Sequence, residues 1–93
     1  MINYLYDIYI SYMNDIKVNK TIGNFLNGEL RKRGITHTAL STRLKEEGLR
    51  YSASSITNKL NRGTFSATFF IQCLIVIGYD SINITEIKKI IKE

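Results

Sequence analysis

The sequence predicts an all-α fold, a single compact domain of five or six short helices. Apolar residues recur three and four positions apart along most of the chain, which is the spacing of one helix face. Ser, Thr or Asn stands just before these stretches, and Gly stands just after several of them, as at helix starts and ends. The 93 residues suffice for one core, and no proline is present to break a helix.

The composition is typical of a globular protein, with 44% apolar and 23% charged residues. The only cysteine is Cys73, which excludes an intramolecular disulfide framework. The longest apolar run, residues 69–77 interrupted by Gln72, is shorter than the roughly 18 residues of a membrane span, and we recognise no secretory leader. We therefore expect a cytoplasmic protein without a membrane segment.

Residues 1–20 form a Tyr- and Ile-rich extension. Seven apolar side chains follow helical spacing: Ile2, Leu5, Tyr6, Tyr9, Tyr12, Met13 and Ile16. Tyr and Ile also favour strands, so helix and strand both remain open for this segment. Packing on the domain's own core would bury the stripe, and so would a homodimer contact through residues 2–16.

Residues 21–79 are predicted to form the core of the domain as four helices. Each begins at a side chain that can cap it and ends near a glycine. The predicted limits are Thr21 to Gly34, Thr36 to Gly48, residues 52–55 to Gly63, and Ser66 to Gly78. The fourth helix is apolar on nearly every side, which predicts a place at the centre of the core. Residues 80–93 add a last helix that starts with a capping-box pattern at residues 83–86.

The third of these helices has a polar surface. Only Ile56 and Leu60 are expected to face the core. The outward side chains form hydrogen bonds or carry positive charge, with no acidic residue among them: Ser54, Ser55, Thr57, Asn58, Lys59 and Asn61. Such side chains match the donors, acceptors and phosphates that line the DNA major groove.

The net charge of +5 is concentrated in the middle of the chain. Residues 17–62 hold ten Lys and Arg against three Glu, so a polyanion would be attracted there. The expected phosphate contacts are Arg31, Lys32, Arg43, Arg50 and Arg62. The first turn of the second helix, with Thr36, His37 and Thr38, is expected near a further phosphate. The same cations also have a plainer interpretation as solvated surface charge.

Three stretches of the chain carry a resemblance to a known superfamily. They are Leu30-x-x-Arg33-Gly34-Ile35-Thr36 through Leu44, Ile56-x-Asn58-Lys59-Leu60-x-Arg62-Gly63-x-Phe65-Ser66, and Phe69-Phe70-x-Gln72-Cys73-Leu74 up to Gly78. They resemble the Cro/lambda-repressor-like helix-turn-helix superfamily, and more closely a set of small bacterial and phage proteins with a variant of it. The resemblance spans residues 24–78. It implies a helix-turn-helix core whose second helix of the pair enters the major groove.

The chain departs from that pattern in the second helix. Repressors of the superfamily have a shorter spacing between the small residue of this helix and the turn glycine, whereas six residues separate Ser41 from Gly48 here. The second helix is therefore expected to be about one turn longer than in those repressors. For that reason, the resemblance does not predict the angle at which the third helix follows the second.

The leading hypothesis is a DNA-binding transcriptional regulator, not an enzyme. Phosphate-binding glycine motifs are absent from the sequence, and of the carboxylates only Glu46 and Glu47 are adjacent. The only histidine, His37, is expected at an exposed helix start, and one His with one Cys cannot complete a zinc site. We expect no cofactor, no metal and no small-molecule substrate.

A second hypothesis belongs to a different class. The long second helix and the aromatic N-terminal extension also suit a helix-turn-helix fold used as a protein-binding module. Its partner would be a host protein such as a nucleic-acid enzyme, in the manner of a phage inhibitor.

Overall fold

The computed structural model describes residues 15–92, and in that range it contains five helices and no strand. The helices are α1 Asp15–Lys32, α2 His37–Glu46, α3 Ala53–Arg62, α4 Ala67–Val76 and α5 Ile84–Lys92. The predicted compact all-α class is thereby confirmed. Residues 1–14 lie outside the described range, and with them most of the predicted contact through residues 2–16.

α1 begins earlier than the sequence predicted. The prediction of a helix start at Thr21 is wrong, because the helix already begins at Asp15. The Thr21 hydroxyl donates to the carbonyl of Lys17, one turn back, at 2.9 Å. A threonine can cap a helix or bond to the preceding turn, and the neighbouring sequence does not distinguish the two.

The starts of the next three helices confirm the predicted caps. Each cap hydroxyl accepts a hydrogen bond from a main-chain N–H in the first turn. The pairs are Thr36 with Ala39 at 3.0 Å, Ser52 with Ser55 at 3.1 Å, and Ser66 with Phe69 at 3.0 Å. At α5, the Asn83 side-chain oxygen accepts from the Glu86 N–H at 3.3 Å. The four predicted terminal glycines all have positive φ: Gly34, Gly48, Gly63 and Gly78.

One hydrophobic core joins the five helices. α1 packs against α3 and α5, and α2 packs against α3 and α4. The most deeply buried side chains come from the first four helices: Leu26, Leu30, Leu40, Leu44, Ile56, Leu60, Phe69 and Cys73. Ile87 and Ile91 of α5 close the core at one side. In the described range, no helix combines the length and the apolarity that crossing a membrane requires.

α4 is buried on one face only. Phe69, Phe70 and Leu74 lie in the core, as predicted, but Ile71 is 43% exposed and Ile75 is 67% exposed. The prediction of a helix buried all round is therefore wrong for the outer face. Apolar residues on every side do not reveal which side has neighbours, and no other described element covers the outer side of α4.

α1 and α3 approach each other closely at two glycines. A Cβ atom on Gly23 would lie 2.3 Å from the main-chain oxygen of Leu60, which is far inside van der Waals contact. At the end of α3, Gly63 has a φ of +68°, and a Cβ there would lie 2.9 Å from the main-chain nitrogen of Lys20. Glycine is required at both positions. α1 therefore lies in close contact with the C-terminal end of α3.

Candidate nucleic-acid interface

The outward face of α3 is polar and contains no carboxylate. Ile56 and Leu60 anchor the helix in the core, and Asn58 lies on the opposite side because successive residues turn by about 100°. Ser54, Asn61 and Arg62 are also exposed on this side. We call these four residues, Ser54, Asn58, Asn61 and Arg62, the α3 face. Ser54, Asn58 and Asn61 belong to the side chains predicted to face the major groove, whereas Arg62 is a predicted phosphate contact.

Three further predicted readers lie at the flanks of α3, where they are half-buried. The main-chain N–H of Ser55 is bound by the cap Ser52. The Lys59 ammonium lies 5.7 Å from the ring centre of Tyr51 and 5.9 Å from that of Phe69. Cation–π contact with two rings holds this side chain against the protein. Thr57, on the other flank, contacts His37.

His37 joins three helices through its two ring nitrogens. Its Nδ1 lies 2.6 Å from Thr57 Oγ1 on α3, and its Nε2 lies 2.8 Å from Asn27 Oδ1 on α1. We call Asn27, His37 and Thr57 the His37 junction. The prediction of an exposed helix-start histidine is wrong, because the ring is half-buried between these partners. The junction fixes the position of α3 relative to α1 and α2.

The protonation state of His37 decides how the junction is bonded. Partial burial lowers the pKa of His37 below its usual 6.5, which favours the neutral ring near pH 7. In that state Nε2–H donates to the Asn27 carbonyl oxygen, and Nδ1 accepts the Thr57 hydroxyl proton. The same hydroxyl also lies 3.0 Å from the carbonyl of Ala53. The Thr57 hydroxyl has one proton, so it donates to only one of these two acceptors at a time.

A recess of about 540 Å³ opens beside the junction, where α1 ends and α2 begins. Its walls include Asn27, Arg31, Thr36, His37, Thr57 and Asn61. The start of α2 contributes the positive end of a helix dipole, and Arg31 contributes a full charge. The structure thus brings Arg31 and the first turn of α2 close to Asn61 of the α3 face.

The other predicted phosphate contacts are placed differently. Lys32 donates to Glu29 at 3.2 Å, and Arg33 donates to the same carboxylate at 2.6 Å. Burial raises the pKa of Glu29, but these hydrogen bonds outweigh it and the pKa is lowered overall. Arg33 also lies 5.3 Å from the ring centre of Tyr79. The positive charges of Lys32 and Arg33 are therefore partly neutralised within α1 itself.

Arg43 lies in the last turn of α2, and Arg50 lies beyond the end of that helix. The Arg43 guanidinium donates to the carbonyl of Val76 at the end of α4, at 3.1 Å, and lies beside Glu46 and Glu47. Arg50 is exposed in the connection that leads to the cap of α3. Arg50 thus precedes the start of α3 by a few residues, whereas Arg43 serves the packing of α2 on α4.

Residues 18–82 match the model of a family described as a domain of unknown function, DUF6471. The chain belongs to this family. No match was found among curated proteins, and none among solved structures. The DUF6471 match contains most of α1 and the whole of α2, α3 and α4, and it therefore includes both the α3 face and the His37 junction.

Cys73 lies buried in the core of this DUF6471 domain. Burial raises the pKa of the Cys73 thiol to about 12, as expected for the predicted buried small hydrophobe and not for a nucleophile. Among residues 15–92, no cluster of three or more His, Cys, Asp or Glu side chains is placed to hold a metal ion.

The sequence did not reveal Asn27 as part of the site. Asn27 precedes its partner by ten residues, and Thr57 follows it by twenty, so no local pattern links the three. A weak signal was present, since Asn27 is a polar residue next to the buried Phe25 and Leu26 of the same helix.

Proposed function

We propose that this DUF6471 domain binds duplex DNA as a transcriptional regulator, with α2 and α3 acting as a helix-turn-helix unit of the Cro/repressor type. The observation that carries the proposal is the α3 face, a convex row of amide, hydroxyl and guanidinium groups without a carboxylate. In this mode α3 enters the major groove and Asn58 reads base edges, because an amide side chain can pair with adenine.

The surroundings of the α3 face support the proposal through charge. Arg31 and the start of α2 lie on one side, Arg62 lies at the end of α3, and Arg50 precedes its cap. Phosphate groups flank the major groove on both sides, so cations around a polar helix are the arrangement that positions it. Glu29 is already paired with Lys32 and Arg33, which reduces its repulsion of phosphates.

The connection between α2 and α3 is long but well held. It runs over residues 47–52, and the Ser41 hydroxyl donates to the carbonyl of Tyr51. Leu49 packs against the core. Together with the His37 junction, these contacts fix α3 relative to α2 without the shorter turn of the repressors that the sequence resembles.

A fluorescence anisotropy titration tests the proposal. The probe is a labelled DNA duplex of mixed sequence, about 20 base pairs long, measured at several salt concentrations. We expect wild-type binding with a dissociation constant of about 10⁻⁴ to 10⁻⁶ M near physiological salt, weakening steeply as salt rises. Arg62→Glu should weaken binding and lower the salt slope by about one, the share of one phosphate contact.

Two further variants make the titration specific. Asn58→Asp places a carboxylate at the centre of the α3 face and should weaken binding about tenfold or more. Lys89→Glu is the matched control for Arg62→Glu, because it makes the same charge change on α5, which packs on α1. Equal losses for the two reversals would show that only net charge matters and would refute the α3 face. If the wild type binds no DNA at low salt, the protein-binding hypothesis becomes the better one.

A further inference from the structure

The His37 junction can accept a second proton without losing a bond. Both ring nitrogens lie beside oxygen atoms, Thr57 Oγ1 at 2.6 Å and Asn27 Oδ1 at 2.8 Å. A neutral ring has only one N–H, so the Thr57 hydroxyl directs its proton to Nδ1 and leaves the Ala53 carbonyl, 3.0 Å away, without it. A protonated ring has two N–H groups. Nδ1–H then donates to Thr57 Oγ1, the hydroxyl donates to Ala53, and the junction has three hydrogen bonds instead of two.

The surroundings of His37 leave the ring mostly neutral near pH 7 in the free domain. Partial burial lowers the pKa of His37 below its usual 6.5. Arg31, from the end of α1, is the one other charged side chain among the described residues that line the recess. The remaining polar side chains of the recess are uncharged: Asn27 on α1, Thr36 before α2, and Thr57 and Asn61 on α3. A negative charge that approaches the recess therefore meets no carboxylate there, and it favours the protonated ring.

We propose that DNA binding by this domain is linked to the uptake of a proton by His37. The inference rests on the proposed function, because it requires the α3 face to hold the duplex. Asn61 belongs to the α3 face and also lines the recess, so a duplex that covers this face brings its phosphates toward His37. Negative charge close to a histidine stabilises its protonated form. The proton and the duplex therefore each strengthen the binding of the other.

The direction of the pH dependence follows from this linkage. The pKa of His37 is higher in the complex than in the free domain, so the additional affinity is fully present below the free-domain pKa. It is lost as the pH rises through the pKa of the complex. An opposite charge within about 4–6 Å shifts a pKa by about one unit or more, and one unit corresponds to a tenfold change in the dissociation constant. We therefore expect DNA binding to be about tenfold tighter near pH 5 than near pH 8.

The anisotropy titration of the full chain tests the inference when it is repeated at one salt concentration and several pH values from about 5 to 8. His37 is the only histidine, so His37→Gln should make the dissociation constant almost independent of pH. Lys89→Glu is the control, because it removes a positive charge but keeps His37, and it should retain the tenfold pH effect. The terminal amino group also titrates near pH 8, but it is present in every variant, so a slope that all variants share belongs to it.

An NMR titration of His37 in the wild type, with and without an excess of the duplex, measures the same linkage without a variant. The pKa of His37 should be about one unit higher in the complex. Equal pKa values in the two states would overturn the inference while leaving DNA binding intact. So would a pH effect that His37→Gln retains in full. A wild type that binds no DNA at any of these pH values would instead refute the proposed function, and this inference with it.

Discussion

Alanine at Gly23 should destabilise the domain, although alanine is normally the better residue in a helix. The added Cβ would lie 2.3 Å from the main-chain oxygen of Leu60, and ordinary contact begins near 3.4 Å. α1 and α3 would have to separate by about 1 Å where they cross, and neither backbone can rotate away as a side chain could. Overpacking of this kind costs about 3 kcal/mol at the upper end of the usual range. The higher helix propensity of alanine offsets about 1 kcal/mol of this cost, so the free energy of unfolding should fall by about 2 kcal/mol.

Gly28 provides the matched control on the same helix. A Cβ there meets no atom within 4 Å, so Gly28→Ala gains the propensity alone and should stabilise the domain by about 1 kcal/mol. The two variants then differ by about 3 kcal/mol in the free energy of unfolding. For a domain of this size that corresponds to about 12–24 °C in Tm, measured by thermal circular dichroism. A Tm for Gly23→Ala at or above the wild-type value would refute the close approach of α1 and α3.

Three smaller predictions follow from single contacts. Ser52→Ala removes the α3 cap and should cost about 1 kcal/mol in urea unfolding, whereas Ser54→Ala, in the first turn of α3, loses only a 3.3 Å contact with the Ser52 hydroxyl and should cost much less. Glu29→Gln should lower the free energy of unfolding by up to about 1 kcal/mol near pH 7. Because the folded-state pKa of Glu29 is lowered, the difference between wild type and variant should vanish as the pH falls through that pKa. A difference that stays constant with pH would contradict the ion pairs. Because the folded-state pKa of His37 is lowered, the unfolded chain is protonated at a higher pH than the folded one, so the free energy of unfolding should fall as the pH drops below about 6.5. An NMR titration of the single histidine should give a pKa below 6.5. A measured pKa above 6.5 would contradict the burial of the ring.

The sequence predicted those parts of the fold that short stretches encode. The caps at Thr36, Ser52 and Ser66 were correct because a cap and its N–H partner lie within four residues. The start of α1 was wrong because Thr21 can make two different local bonds with the same neighbours. The sequence could not tell which side of α4 faces solvent, since that depends on how distant helices pack.

The candidate site likewise contains one part that the sequence predicted and one part that it did not. The polar side of α3 followed from two apolar anchors, Ile56 and Leu60, and the structure places Asn58 opposite them. His37 was misjudged because its partners, Asn27 and Thr57, come from other helices. A lone polar residue at a helix start has the same local pattern whether it is solvated or bonded across the fold.

The His37 junction also has a consequence for the order in which the domain folds. Its bonds join residues ten and twenty positions away, on α1 and on α3, so they can form only after three helices have docked. Contacts that form after the folding barrier affect mainly the unfolding rate. We therefore expect His37→Gln to leave refolding almost as fast as in the wild type while the native domain opens sooner. His37, which orients α3, would then form its bonds last in folding and slow the unfolding of the assembled domain.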